Sequence, residues 1–388
     1  MMHWITPEIE QEMIAIRREL HQHPELAWQE NRTAHKICEV LERCGIPYRS
    51  GVAKTGVVAD IPGRKDGPII ALRADMDALP LQEETGLGCT SQVPGVMHAC
   101  GHDGHITILL GVAMALTTAK EQHTLPVRLL FQPAEEVAGG ARAMIKEGVL
   151  DGVAMIFGAH LDCNHAVGKV VIGDGAVTAS RDLFRIEITG KGGHAARPSE
   201  AIDAIMLGSM FIQKIHSLTA GKMGLARPAV VSIGCFKAGT AANVIAETAV
   251  LDGTIYAQDE KLRAELKESI RQIAKSISDT YKAQIEVEIE RGIPAIINQA
   301  QIAQMAREVA YDCLGTNSVE KSVATNMGAE DFSCFLEHVA GCYVRIGAWN
   351  GADETAPAHS SRFNFDEGAL VTGASYLTSL AIAAGKRC

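Results

Sequence analysis

The chain has 388 residues, enough for two or three domains at about 150 residues each. Apolar residues make up 47% and charged residues 21%, so a sizeable core is affordable and disorder is excluded as the main state. The net charge of −10 argues against a nucleic-acid binder or an anionic-membrane binder, both of which need a basic face.

No apolar run of signal-peptide length opens the chain, and no continuous apolar stretch reaches transmembrane length. The 10 cysteines are scattered without a CxxC pair, in a chain too large to need disulfide staples. Reduced cysteines and a cytoplasmic location are expected.

Taken in chain order, Ile9, Met13, Ile16 and Leu20 have the spacing of an amphipathic helix after Pro7. A second helix is predicted from about Asn31 to Cys44, stopping at Gly45. GVVADI, IIALRAD, VRLLFQ and AMIFGAH read as strands, with helices at ITILLGVAMAL and AGGARAMIKEG. Alternating strands and helices predict an α/β domain with a largely parallel sheet, whose chemistry gathers at the carboxyl ends of the strands. After about Ser180 the pattern becomes strand, helix (about Glu200 to Leu218), two strands, helix (Asp259 to Tyr281), strand. A helix from Gln299 to Cys313, the strand CYVRIGA and a final helix from Asp366 follow. The prediction is a catalytic α/β domain over residues 1–180 and 293–388, interrupted by an α+β domain at 181–292 with an antiparallel sheet and two helices.

The densest polar cluster is MHACGHDGH, residues 97–105, with His98, Cys100, His102, Asp103 and His105. Imidazole and thiolate bind borderline transition metals, and in an extended segment Cys100 and His102 would face the same way. Asp103 and His105 suit helix capping and support of the ligands. FQPAEE places Glu135 and Glu136 at a strand end; on an extended chain they would point in opposite directions, one toward a metal and one toward substrate as a base. Asp75 and Asp77 follow IIALR, where they can orient histidines. His160 ends AMIFGAH, His359 lies in APAHSSRF, and His194 lies in KGGHAARP, whose glycines allow a ligand close to the backbone. Arg345, on a late strand, is a candidate for a substrate carboxylate or for a structural salt bridge.

The strings HQHPEL, LRADMDALP, GVMHACGHDGH, FQPAEE, KGGHAARP, GAEDFS and FNFDEG, in this order, resemble the aminoacylase and carboxypeptidase family of two-metal hydrolases. The nearest branch holds hippurate hydrolase, N-acyl-amino-acid amidohydrolases and indoleacetyl-amino-acid (auxin-conjugate) hydrolases. The resemblance implies that Cys100, His102, Glu136, His160 and His359 are metal ligands and Glu135 is the general acid/base. It gives Asp75 an orienting role, makes His194 a lid-domain histidine approaching the substrate carbonyl, and makes Asn243 a substrate contact. It further implies two divalent ions (manganese or zinc, with cobalt or nickel also suited), a small N-acyl-amino-acid substrate and a homodimer through the lid. Departures such as Asp162 and Cys163 after His160 bear on substrate preference, and a dipeptidase or an N-acetyl-diaminopimelate deacetylase would use the same machinery. A rival with Cys100 as nucleophile and His102 as base leaves Glu136, His160 and His359 unexplained.

Overall fold

The computed structural model describes residues 4–119, 123–222, 228–320, 327–349, 351 and 356–388. Its elements begin with α1 (Pro7–Gln22), α2 (Asn31–Arg43), β1 (Tyr48–Val52), β2 (Gly56–Ile61) and β3 (Ile69–Asp75). They continue through α3 (His102–Thr118), β4 (Val127–Gln132), α4 (Gly140–Lys146), β5 (Val153–Ala166), β6 (Val170–Val171) and β7 (Gly175–Ala176). Next come β8 (Ser180–Thr189), β9 (Gly193–His194), α5 (Ala204–Lys222), β10 (Ala229–Ala238), β11 (Val244–Ile245), β12 (Thr248–Ala257), α6 (Glu260–Tyr281) and β13 (Gln284–Ile289). The chain closes with β14 (Ile297–Asn298), α7 (Ala300–Leu314), β15 (Val319–Glu320), α8 (Ser333–Leu336), β16 (Ala340–Trp349) and α9 (Gly368–Arg387).

These elements form two compact units. The first ends at Val177, resumes at Ile297 and includes the chain from Asp331 onward; the second is Thr178–Ile296 with residues 327–330.

The first unit carries an 8-stranded sheet in the order β1-β2-β4-β3-β5-β16-β6-β15. Its centre, β4-β3-β5-β16, is parallel, while β1 and β2 pair antiparallel at one end. The parallel centre brings the carboxyl ends of β3, β4 and β5 to one edge. β4 is buried at every residue, as a strand covered on both faces should be. Thr6 caps α1 through its side chain, Pro7 sits in the first turn, and Met13, Ile16 and Leu20 are buried as the spacing predicts. α3 is buried from His102 to Leu116 and packs against α1, α9 and β3. The 20 residues of α9 are long and apolar enough to cross a membrane, yet 72% of its apolar window is buried inside the protein, the signature of a core helix.

The second unit has a 4-stranded antiparallel sheet, β10-β12-β8-β13. Burial alternates strictly along β8, with Asp182, Phe184, Ile186 and Ile188 inside. Helices α5 and α6 cover that buried face.

Candidate metal centre

At the end of β3, Arg73 has its guanidinium wholly buried. It donates to Asp75 Oδ2 at 2.8 Å, to Gln132 Oε1 at 2.8 Å and to Asp331 Oδ1 at 3.1 Å. Burial opposes charge on Asp75, but His102, His105 and Arg73 around it hold its carboxyl well below the usual range. Asp75 Oδ1 in turn accepts from His105 Nδ1 at 2.6 Å, and His105 Nε2 accepts the Leu161 N–H at 2.9 Å. Both ring nitrogens of His105 are therefore engaged, which fixes its proton on Nδ1 and leaves no lone pair for a ligand. His105 ties Asp75 to the backbone beside His160.

The segment around Cys100 is not extended. Gly101, at the start of α3, has φ +89°, a left-handed turn natural to a residue without a Cβ. His102 therefore opens the helix. Its Nδ1 donates to the Asp77 carbonyl at 2.8 Å, and its Nε2 has no hydrogen-bond partner. That atom lies 3.7 Å from Asp75 Oδ2 and 3.9 Å from Glu136 Oε1. Burial opposes charge on His102, yet Asp75 and the Cys100 sulfur push its pKa well above the ordinary histidine value. The local field therefore favours a cation. Asp103 faces away, to Arg17 at 3.0 Å and His21 at 2.8 Å. His98 is buried, and that burial pushes its pKa down to about 4.

Glu135 and Glu136 also differ from an extended reading. β4 ends at Gln132, and the two glutamates sit in a turn flanked by Ala134 and Ala138, both at φ +54°. Two buried carboxylates hold this turn by its backbone. Glu30 Oε1 accepts the Ala134 N–H at 2.9 Å, and the two oxygens of Asp77 accept the N–H groups of Glu135 and Glu136 at 3.0 Å each. Gly140 closes the turn so tightly that a Cβ there would stand 1.6 Å from the Pro133 carbonyl oxygen. Glu136 Oε1 is buried without a well-formed hydrogen bond, and His359 Nε2 lies 3.4 Å from it. That contact raises the His359 pKa. His359 itself has φ +67°, and its N–H donates to the Ala99 carbonyl at 2.8 Å.

On β5, His160 Nδ1 donates to the Leu161 carbonyl at 2.7 Å, which turns Nε2 toward Cys100 Sγ at 3.4 Å. Burial pushes His160 down to about 3 and the Cys100 thiol up to about 12. Among the sets of donor atoms gathered within 4.8 Å of one another are Cys100, His102 and His160; Cys100, Glu136 and His359; and His102, Glu135 and Glu136. All six residues belong to the first unit. A donor set of sulfur, nitrogen and carboxylate oxygen around buried unpaired atoms fits borderline divalent metals.

His194 and Asn243 belong to the second unit. They lie side by side on the β9–β11 ribbon, where His194 is opposite Val244 and the Ala195 N–H donates to the Asn243 carbonyl at 3.2 Å. Sequence reasoning passed over Glu30, Arg73 and Asp331. Nothing near Glu30 signals that it will hold a turn more than a hundred residues away.

Comparison with known proteins agrees with this geometry. The profile of Peptidase family M20/M25/M40 matches residues 71–383. An N-acetylcysteine deacetylase of Bacillus subtilis is 40% identical over 371 residues, covering 95% of this chain and 96% of that protein. An IAA-amino acid hydrolase of Arabidopsis thaliana is 38% identical over 375 residues, covering 95% and 84%. The crystal structure of a dinuclear metal-binding peptidase of the M20 family from Bacillus subtilis superposes with a TM-score of 0.87 at 37% identity, covering 99% of this chain and 100% of the other. The chain therefore belongs to peptidase family M20/M25/M40 and is a metal-dependent hydrolase of amide bonds.

Proposed function

We propose that the protein removes the acyl group from N-acyl-amino acids, with Glu135 as general acid/base. One observation carries this reading. His102 Nε2 and Glu136 Oε1 are buried, lack hydrogen bonds and face each other across 3.9 Å, with Cys100, His160 and His359 beside them. Such atoms are costly in a protein interior unless a cation takes them.

Cys100, His102, Glu136, His160 and His359 would hold two divalent ions, with manganese or zinc as the metals. When bound, such ions lower the pKa of water and polarise the amide carbonyl. Glu135 receives the water's proton on its carboxylate and returns it to the leaving nitrogen, so a neutral amine departs. Asp77 keeps Glu135 and Glu136 in place through their backbone N–H groups. Asp75 supports the histidines from behind. His194 and Asn243, on one ribbon of the second unit, take the substrate contacts that the family resemblance implies. A homodimer through the second unit and a cytoplasmic location belong to the same proposal. The similarity to an N-acetylcysteine deacetylase and an IAA-amino acid hydrolase supports an acyl-amino-acid substrate.

The test is hydrolysis of acetyl-, benzoyl- and indoleacetyl-amino acids and of dipeptides by metal-stripped protein, then after adding manganese or zinc. Release of amino acid from the conjugates only after metal addition supports the reading. Preferential cleavage of dipeptides assigns the site to a peptidase instead, and activity that survives chelation overturns the mechanism.

A further inference from the structure

We infer that Glu84 is a positioning residue for His359: through Ser361 it holds the turn that carries this histidine, and so sets the affinity of the metal site that His359 completes. The inference rests on the proposed reading of His359 as a metal ligand and adds the group that orients it.

A histidine that binds a metal through one ring nitrogen is normally oriented by a hydrogen bond from the other. His102 and His160 follow this rule, with Nδ1 donating to the Asp77 carbonyl at 2.8 Å and to the Leu161 carbonyl at 2.7 Å. His359 does not. Its Nε2 faces Glu136 at 3.4 Å, and its Nδ1 has no hydrogen-bond partner among the described residues. Its side chain is 54% exposed, so packing does not fix the ring either. The direction of the ring is therefore set by the backbone. That backbone has φ +67°, a left-handed conformation that a residue with a Cβ keeps only where its surroundings enforce it.

The turn is held to its surroundings at three places. The His359 N–H donates to the Ala99 carbonyl at 2.8 Å. Further along, the buried Phe363 lies against Gly101, where a Cβ would stand 3.6 Å from its ring. Between these two points Ser361 meets Glu84 twice. Its carbonyl accepts the Glu84 N–H at 2.8 Å, and its hydroxyl donates to Glu84 Oε2 at 2.8 Å. Arg362 Nε lies 3.9 Å from the same carboxylate oxygen, but both side chains are exposed there, so that ion pair adds little.

Glu84 can serve as an anchor because its own loop is closed and pinned. Leu79 and Met97 exchange both backbone hydrogen bonds at 3.0 Å, which joins the ends of the loop between them. Beside Glu84, the buried carboxylate of Glu83 accepts the Ser91 N–H at 2.7 Å and the Thr85 hydroxyl, and lies 3.3 Å from His21 Nε2 on α1. The loop thus presents Glu84 to Ser361 from a fixed base.

The test is calorimetric titration of metal-stripped protein with zinc, beside thermal unfolding of the same stripped samples. The variants are Glu84→Ala, Glu84→Gln, Ser361→Ala, His359→Ala and the double change Glu84→Ala/His359→Ala. His359→Ala is expected to weaken or abolish binding of one zinc equivalent. Glu84→Ala should weaken that same equivalent by about 10-fold, the low end of the effect of losing a ligand-orienting group, because the Glu84 N–H keeps its bond to Ser361. The other equivalent should bind as in wild type. Ser361→Ala should match Glu84→Ala, and Glu84→Gln, which still offers an acceptor oxygen, should retain most of the affinity. In the His359→Ala background the change at Glu84 should leave the remaining zinc binding unaltered, which marks an effect exerted through His359. Wild-type zinc affinity in Glu84→Ala, with or without a lower unfolding temperature, overturns the inference, as does a loss of equal size in both backgrounds. If His359→Ala binds both equivalents as tightly as wild type, the ligand reading of His359 itself fails, and the role of Glu84 with it.

Discussion

One carboxylate oxygen of Asp77 accepts the backbone N–H of Glu135 at 3.0 Å, while its partner oxygen does the same for Glu136. The aspartate is thus a clamp for both glutamates at once, and its own carbonyl accepts from His102 Nδ1. Asp77→Asn keeps the shape but offers one acceptor where two are needed, setting an N–H₂ against an N–H. Activity or metal affinity is expected to fall about 10- to 100-fold, the usual effect of losing a group that orients ligands. Metal titration beside kcat measures this, and a fully active variant would show that the clamp is dispensable.

Glu135→Gln retains the side-chain volume and removes the proton carrier proposed above. Turnover should drop by about 10²- to 10⁴-fold, as for other general bases. Metal content should stay near wild type, because the proposed ligands Cys100, His102, Glu136, His160 and His359 remain. Elemental analysis of the purified variant, alongside its kcat, separates these two effects; loss of metal together with activity would make Glu135 a ligand rather than a base.

Much of this site can be read along the chain because its donors are locally dense. Cys100 and His102 lie within nine residues of His98 and His105, and Glu135 adjoins Glu136. Their directions are not readable, since they depend on backbone angles. Gly101 turns left-handed, and Ala134 and Ala138 take strained positive φ values that no local pattern requires. The network behind the site is less legible still. Arg73 and Asp331 are 258 positions apart, and only the packing of the sheet brings them together.

The same distinction holds for the fold. Periodic apolar residues reveal α1 and α6, whereas β1, the exposed edge strand YRSGV, shows no such pattern. Helix α5 begins at Ala204 rather than near Glu200, because Pro198–Glu200 forms a separate 3₁₀ turn and Asp203 accepts the Ile205 N–H at 2.9 Å. The inserted unit comes out slightly longer at both ends than residues 181–292, as Thr178–Ile296.

Metal affinity should rise with pH. Burial raises the Cys100 thiol to about 12, and the contact with Glu136 raises His359, so both tend to hold protons in the metal-free protein. A cation must displace those protons to bind. Calorimetric titration with zinc or manganese in buffers of different ionisation enthalpy should show net proton release, with tighter binding at pH 8 than at pH 6. Affinity independent of pH would argue that neither group is a ligand.

In the second unit, stability should carry an acid-sensitive contribution from Asp182. Its side chain is buried and accepts from Arg263 at 2.7 Å through both oxygens, from Lys267 at 2.9 Å and from the Gly292 N–H at 2.9 Å. Burial pushes its carboxyl up, but Arg263, Lys267 and the Gly292 N–H outweigh that and leave it below the ordinary value. A depressed folded-state pKa means that the stabilisation is complete above the unfolded carboxyl's pKa of about 3.9, and disappears as pH falls through the lower folded value. Asp182→Asn leaves the Lys267 ammonium without its anion and the Arg263 guanidinium with only the exposed Glu260 at 3.1 Å, at a cost of about 3–5 kcal/mol near neutral pH. Thermal unfolding of wild type and variant from pH 7 down to pH 3 should show a wide gap at neutral pH that narrows below about pH 4 as the wild-type carboxylate takes up its proton. A gap of constant width across that range would mean that Asp182 acts through packing rather than charge.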